Sequence, residues 1–430
     1  MRLPGRVSAA IEVLEDIERR HRPVSEALKA WGLNNRFAGA GDRAAIGNLV
    51  YDALRRRASH AFAMGAETPR ALVLSVLVRD WGETPEALAA AFAEDRHAPE
   101  AMSDDEVARL TAAEPLAAAS DPVRADVPDW MAPLLAESLG ENWVAEAGAM
   151  TARPPLDLRV NTLKSDRERV LKALARFQPE AAALTPEGIR IDAGGRDSRT
   201  PNVQVDESFL KGGFEVQDLG SQAVARLAGA KAGEQVLDLC AGAGGKSLAL
   251  AAAMGNKGQI FAHDSDRQRL APIYDRLKRA GARNVQVRPP GEAALDDLVG
   301  RMDRVVVDAP CTGSGTWRRR PDAKWKLMPE QLEVRVAEQA AILEEAARYV
   351  KPGGTLAYIT CSILPQENGR QVADFLSRHP EFAILPGSSL WHSGFAGAGR
   401  AIFTAEGGLQ LTPFTTGTDG FYFAALQKRA

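Results

Sequence analysis

Three cysteines stand in this chain of 430 residues: Cys240, Cys311 and Cys361, far apart and never as a C-x-x-C pair. An odd count with that spacing argues against a disulfide framework and against a zinc site. A reduced, cytoplasmic protein with no metal is therefore expected. Isolated cysteines of this kind usually pack as small core residues. What sets these apart is their company. Cys240 opens the glycine loop "CAGAGGKS"; Cys311 lies in "VVVDAPCTGSG" and Cys361 in "LAYITCSILPQEN", each directly after a strand-like run. A thiolate at such a place can attack an electron-poor carbon.

The glycine loop nearly fits two nucleotide-binding patterns and completes neither. A P-loop needs glycine where Cys240 stands. The dinucleotide fingerprint begins with Gly242 and Gly244 but meets Ser247 at its third glycine. Asp264 follows Gly244 by about 20 residues, the interval at which a carboxylate takes a ribose hydroxyl pair. Loop and acid together predict a nucleoside-containing ligand. The missing glycines disfavour a pyrophosphate and favour S-adenosylmethionine, which has a ribose and a charged tail but no phosphate. Two thiols beside a methyl donor suggest methylation at carbon 5 of a pyrimidine. Addition of a thiolate at carbon 6 makes carbon 5 nucleophilic, and Asp308 is placed to hydrogen-bond the base edge. Chemistry alone does not rank Cys311 against Cys361.

In "GTWRRRPDAKWKLMP", Trp317 and Trp325 bracket Arg318, Arg319, Arg320, Lys324 and Lys326. Interleaved aromatics and cations suit stacked bases and phosphates; the plainer reading is a solvated basic loop over packed tryptophans. Arg159 and Asn161 in "LRVNTLK" add a candidate RNA contact, against the plainer reading of a core strand.

Stepping outward, residues 1–145 read as helical. "VSAAIEVLEDIERR" carries apolar residues at helical spacing, "DRAAIGNLVYDALRRRASHAFAMG" does so from Asp42 as N-cap, and two further segments open on Thr-Pro. "AEPLAAAS" reads as a linker. Residues 146–230 hold a linker and a small β-α-β unit. From 231 to 430 strands and helices alternate, which predicts an α/β, doubly wound, mostly parallel sheet, closed by an antiparallel hairpin at one edge. The formal net charge of −3 argues neither for nor against a polyanionic partner. No apolar run approaches the length of a membrane span, and "MRLPGRVSAA" lacks a signal core.

Taken in order, "DLCAGAGGKS", "DAPCTGSG", "RRRPDAKW", "TCSILPQEN" and "DGFYFAAL" resemble the RsmB-type RNA 5-methylcytosine methyltransferases, a branch of the Sun-domain family. The resemblance covers Pro154 to the C-terminus and implies a Rossmann-like class I methyltransferase domain. The helical region, most clearly "GDRAAIGNLVYDALRRR", resembles the NusB-like RNA-binding domain that RsmB proteins carry. The resemblance makes Cys361 the nucleophile and Cys311 the group that assists product release. It assigns cofactor contacts to Cys240, Ala241, Gly242, Ala243, Gly244, Gly245, Lys246, Asp264 and Asp308, with Lys246 also near the reacting base. The implied substrate is RNA, 16S ribosomal RNA first and transfer RNA second, handled by a monomer. A non-catalytic RNA-binding assembly factor is the competing class. Two departures stand out. Gly242 and Ala243 replace the family's Ala-Pro, which predicts a more flexible loop. Pro289, Pro290 and Gly291 stand where the family has an acid beside the adenine, with Glu292 the nearest carboxylate.

Overall fold

A computed structural model describes residues 1–395 and 399–430. The N-terminal region is helical. Thr68 and Thr84 cap their helices as expected, accepting from Ala71 N–H (3.2 Å) and Ala87 N–H (3.1 Å) with proline at the first turn. Asp42 is not the N-cap: the helix Ala40–Arg55 starts two residues earlier, on Gly39, and Asp42 Oδ2 accepts from Gly39 N–H (3.1 Å). A carboxylate inside the first turn still complements the helix dipole. The run read as one helix from Asp42 breaks at Arg56, and a second helix spans Arg57–Met64.

The helical region divides by packing. Helices between Leu3 and Leu110 bury Val7, Leu14, Ile46, Leu49, Leu72 and Leu77 in a core of their own. Beyond the "AEPLAAAS" stretch, the helices Asp121–Ala125, Ala132–Leu139 and Trp143–Ala149 turn away from that core. Leu135 and Leu139, with Met131 from the short turn before them, pack with Trp317, Leu332 and Ile363 of the C-terminal half.

A four-stranded sheet follows: β1 (Leu156–Val160), β2 (Glu180–Ala181), β3 (Gly188–Ile191) and β4 (Phe214–Val216), in the order β2-β3-β1-β4. The strand-helix-strand order is present, with the helix Arg167–Ala173, but β1 and β3 pair antiparallel.

The large sheet carries β5 (Gln235–Asp238), β6 (Gln259–His263), β7 (Val285–Arg288), β8 (Met302–Asp308), β9 (Val350–Thr360), β10 (Phe382–Leu385), β11 (Ile402–Phe403), β12 (Leu409–Leu411) and β13 (Phe421–Lys428). Its order is β11-β12-β13-β9-β8-β5-β6-β7, with β10 also paired to β13. Strands β5 to β9 run parallel, and β13 lies antiparallel against β9. The expected hairpin of β12 and β13 is there, with β13 two places in from the β11 edge. Among the described residues, no single helix is long and apolar enough to cross a membrane.

Candidate active site

Strand order reverses between β5 and β8, the place in a doubly wound sheet where ligands bind. The glycine loop leaves β5 there. Gly244 has φ +84°, and a Cβ on it would meet Ile273 Cγ1 at 2.6 Å, so only glycine lets the loop close on the helix Ile273–Ala280. Asp264, at the end of β6, is buried; its Oδ2 accepts from Gly242 N–H (2.9 Å) and its Oδ1 from Asp266 N–H (2.9 Å). Arg276 Nη1 donates to the Ala243 carbonyl at 2.8 Å. The Gly-Ala replacement therefore leaves a loop tethered on both sides, where looseness was expected. Asp238, fully buried at the end of β5, accepts from Ser247 Oγ (2.6 Å), and burial pushes its carboxyl up to about 7. Burial likewise raises the Cys240 thiol.

The residues fit a ribose-bearing cofactor. Each Asp264 oxygen has taken one backbone donor and retains a further acceptor site. A Cβ on Gly242 would sit 3.9 Å from Asp264 Oδ2, over that carboxylate, and glycine leaves the space open. Glu292 lies exposed past the end of β7.

The thiols converge a few residues away. Cys311 and Cys361, from the loops after β8 and β9, bring their Sγ atoms within 3.3 Å. Hydrogen bonding to Cys361, then burial, raises Cys311 well above the usual thiol range. Lys246 Nζ donates to Asp308 Oδ2 (2.9 Å) and to Ser221 Oγ (2.8 Å), and lies 5.4 Å from the centre of the Phe421 ring. Ser221 carries no motif that would have marked it in the sequence. A cleft of about 960 Å³ leads from Cys311 and Thr312, past Arg319 and Arg320, to Val24 and Tyr51 of the helical region.

Most of the residues read as RNA contacts are internal. Lys324 is buried, its Nζ donates to the Arg55 carbonyl (3.0 Å), and burial pulls its ammonium down to about 8. Trp325 Nε1 donates to the Leu54 carbonyl (2.7 Å), and Lys326 Nζ to that of Arg22 (2.8 Å). Arg318 is buried and donates to Asp419 Oδ1 (2.5 Å); Arg319 donates to Asp419 and to Asp218 Oδ1 (3.0 Å). Arg159 and Asn161 are buried too. Arg159 donates to Gln217 Oε1 (2.6 Å), and Asn161 Nδ2 to the carbonyls of Gly212 and Ala280, both at 2.8 Å. The bonds they make go to protein groups, because a buried cation or amide needs a partner. Arg320 alone of the arginine run is exposed on the cleft.

Sheet order, switch point and cradle together define a class I methyltransferase domain built for S-adenosylmethionine. Comparison with known proteins narrows this. The family described as 16S rRNA methyltransferase RsmB/F matches residues 225–427, and the RsmF/B-like ferredoxin-like domain matches residues 127–196. The probable ribosomal RNA small subunit methyltransferase B of Synechocystis sp. is 33% identical over 312 residues, which is 70% of this chain. The chain spans 66% of the length of the curated relatives it matches. Two solved structures align well. PH0851 has a TM-score of 0.72 at 25% identity, covering 100% of this chain and 99% of its own. A methyltransferase homolog protein from Pyrococcus horikoshii has a TM-score of 0.59 at 27% identity, covering 72% and 97%. The chain belongs to the RsmB/F methyltransferase family.

Proposed function

We propose that the protein methylates carbon 5 of a cytosine in RNA, with 16S ribosomal RNA as substrate. The observation that carries this reading is the pair of thiols 3.3 Å apart at adjacent strand ends, beside the bonded Lys246 and Asp308. Carbon 5 of cytosine is a poor nucleophile. Attack by the Cys361 thiolate on carbon 6 moves electron density to carbon 5, and Asp308 and Lys246 hold the base edge where charge develops. S-adenosylmethionine supplies an electrophilic methyl group. Loss of the carbon 5 proton then expels the Cys361 thiolate and restores the aromatic ring. Burial and the bond to Cys361 hold the Cys311 thiol well above the usual range, which disfavours it as the attacking thiolate. The family resemblance ranks Cys361 as nucleophile and Cys311 as the partner in release. The target base has to be unpaired or flipped out to be reached, and the cleft beside Cys311 gives it a route. We assign cofactor contacts to Cys240–Lys246, Asp264 and Asp308.

Bisulfite sequencing of RNA from cells with and without the gene tests the reading. Loss of one 16S cytosine mark is expected. Loss of a transfer RNA mark would move the substrate and keep the chemistry; no change at any cytosine would overturn the reading.

A further inference from the structure

The loops that carry the two thiols leave different strands. The sheet last ties them where Ala309 N–H donates to the Ile359 carbonyl (2.9 Å). Past that point one main-chain bond joins them, from Gly315 N–H to the Cys361 carbonyl (2.9 Å). Ser314 Oγ also bridges the loops, accepting from Ile363 N–H and bonding Ser362 Oγ, both at 2.9 Å. The tie that reaches the residue after each thiol is a carboxylate. Glu367 is 0% exposed. Its Oε1 accepts from Thr312 N–H (2.8 Å) and Gln339 Nε2 (3.0 Å); its Oε2 accepts from Thr312 Oγ1 and Ser362 Oγ, both at 2.5 Å. Thr312 follows Cys311, and Ser362 follows Cys361. One side chain thus grips the residue after each thiol. Gln339 Nε2 also donates to the carbonyl of Pro310 (2.9 Å), the residue before Cys311. Glu367 is itself held, since Tyr358 Oη donates to its carbonyl at 2.7 Å. An ionised carboxylate offers about four acceptor sites, and four protein donors occupy them. Nothing is left over for substrate, so the group acts on the thiols and not on the base.

We infer that Glu367 is a positioning residue that sets the separation of Cys311 and Cys361, and through it the geometry of adduct formation and release. The catalytic consequence rests on the methyl-transfer reading above; the effect on the thiols does not. The Glu367 charge also acts on Cys311, reinforcing the bond to Cys361 and the burial that keep that thiol protonated.

The test uses the full-length reduced protein and diamide as oxidant, which takes two hydrogens from the thiols as the Cys311–Cys361 disulfide forms. Glu367→Gln keeps the size but presents an amide donor to hydroxyls that need an acceptor. Disulfide formation, followed by mass spectrometry, is expected to slow about tenfold, because bridging demands tight Cβ and sulfur geometry. On RNA, kcat is expected to fall about 100-fold, with KM for the cofactor unchanged. Wild-type oxidation kinetics in Glu367→Gln would overturn the inference whatever turnover does. If the wild-type enzyme transfers no methyl group, the oxidation rate still decides, so the two readings fail separately. If circular dichroism shows that Glu367→Gln does not fold, Thr312→Val is read in its place. It removes one of the four donors, and an unchanged oxidation rate there overturns the inference equally.

Discussion

Cys311 and Cys361 stand far apart in the chain and meet at 3.3 Å. Arg318 and Lys324 are near neighbours in the chain, yet one is fastened to Asp419 at the start of the last strand and the other to the end of a helix in the N-terminal core. Both stretches stand out in the sequence as chemistry. The fold gathers one into a site and uses the other as a clasp between domains. The difference lies in what burial does to each group. A thiol beside a strand end tolerates partial burial without needing a charged partner. A guanidinium or ammonium that becomes buried must find a carboxylate or carbonyl, and it is then no longer free for phosphate. A run of cations can serve an RNA surface only where solvent still reaches it, and in the arginine run only Arg320 is exposed.

The largest effect expected from breaking this contrast is at the thiols. Cys361→Ala is expected to reduce single-turnover methyl transfer by about 10,000-fold or more and to abolish a covalent complex with 5-fluorocytosine RNA. Cys311→Ala is expected to keep that complex and, on unmodified cytosine RNA, to accumulate the methylated covalent adduct. In the clasp, Arg318→Ala removes the buried guanidinium from Asp419 and leaves Asp419 and Asp218 to Arg319. It is expected to cost about 1–3 kcal/mol in urea unfolding while leaving the thiol pair's diamide reactivity in place; a loss below about 0.5 kcal/mol would break the contrast.

The third prediction concerns Asp238 under the cofactor loop. Its folded carboxyl is raised from 3.8 to about 7, so the unfolded chain gives up this proton first. The stability this group contributes is complete below pH 3.8 and is lost as pH rises toward 7. Asp238→Asn removes that titration and is expected to flatten the slope of stability between pH 4 and 7, by up to about 1.4 kcal/mol per pH unit. An unchanged slope counts against a buried, titrating Asp238. The smallest effect is expected at Arg320→Ala. RNA binding weakens and its salt dependence falls by about one phosphate contact, while stability stays within about 0.5 kcal/mol of wild type. Arg320→Ala and Lys324→Ala compared in one binding series sharpen the distinction: only the first is expected to act on RNA without acting on the fold.

Much of the site was readable in advance for a specific reason. In a parallel sheet the ligand edge is the carboxyl end of every strand, so motifs following β5, β6, β8 and β9 had to face one another once alternation of strands and helices was recognised. Glu367 and Ser221 were not readable as participants. Glu367 sits inside a quoted motif, but its four bonds reach residues on two other elements, and no spacing announces that. The division of the helical region was equally hidden. Helical periodicity shows that the segment around Leu135 has an apolar face and is silent on whether it meets Leu49 or Ile363.

What the sequence determined by itself is local or periodic: the α/β alternation, the caps at Thr68 and Thr84, the cradle at Gly242 and Gly244, and the three cysteines with the family they resemble. What only the tertiary structure decided is partnership. It brought Cys311 and Cys361 into contact, closed Glu367 on both of their loops, and turned Arg318, Lys324, Trp325, Arg159 and Asn161 inward. The reason is physical. Backbone preference and side-chain period act over a few residues. The demand of a buried polar group for a partner is met by whichever residue the packing brings near, however far away it lies in the chain.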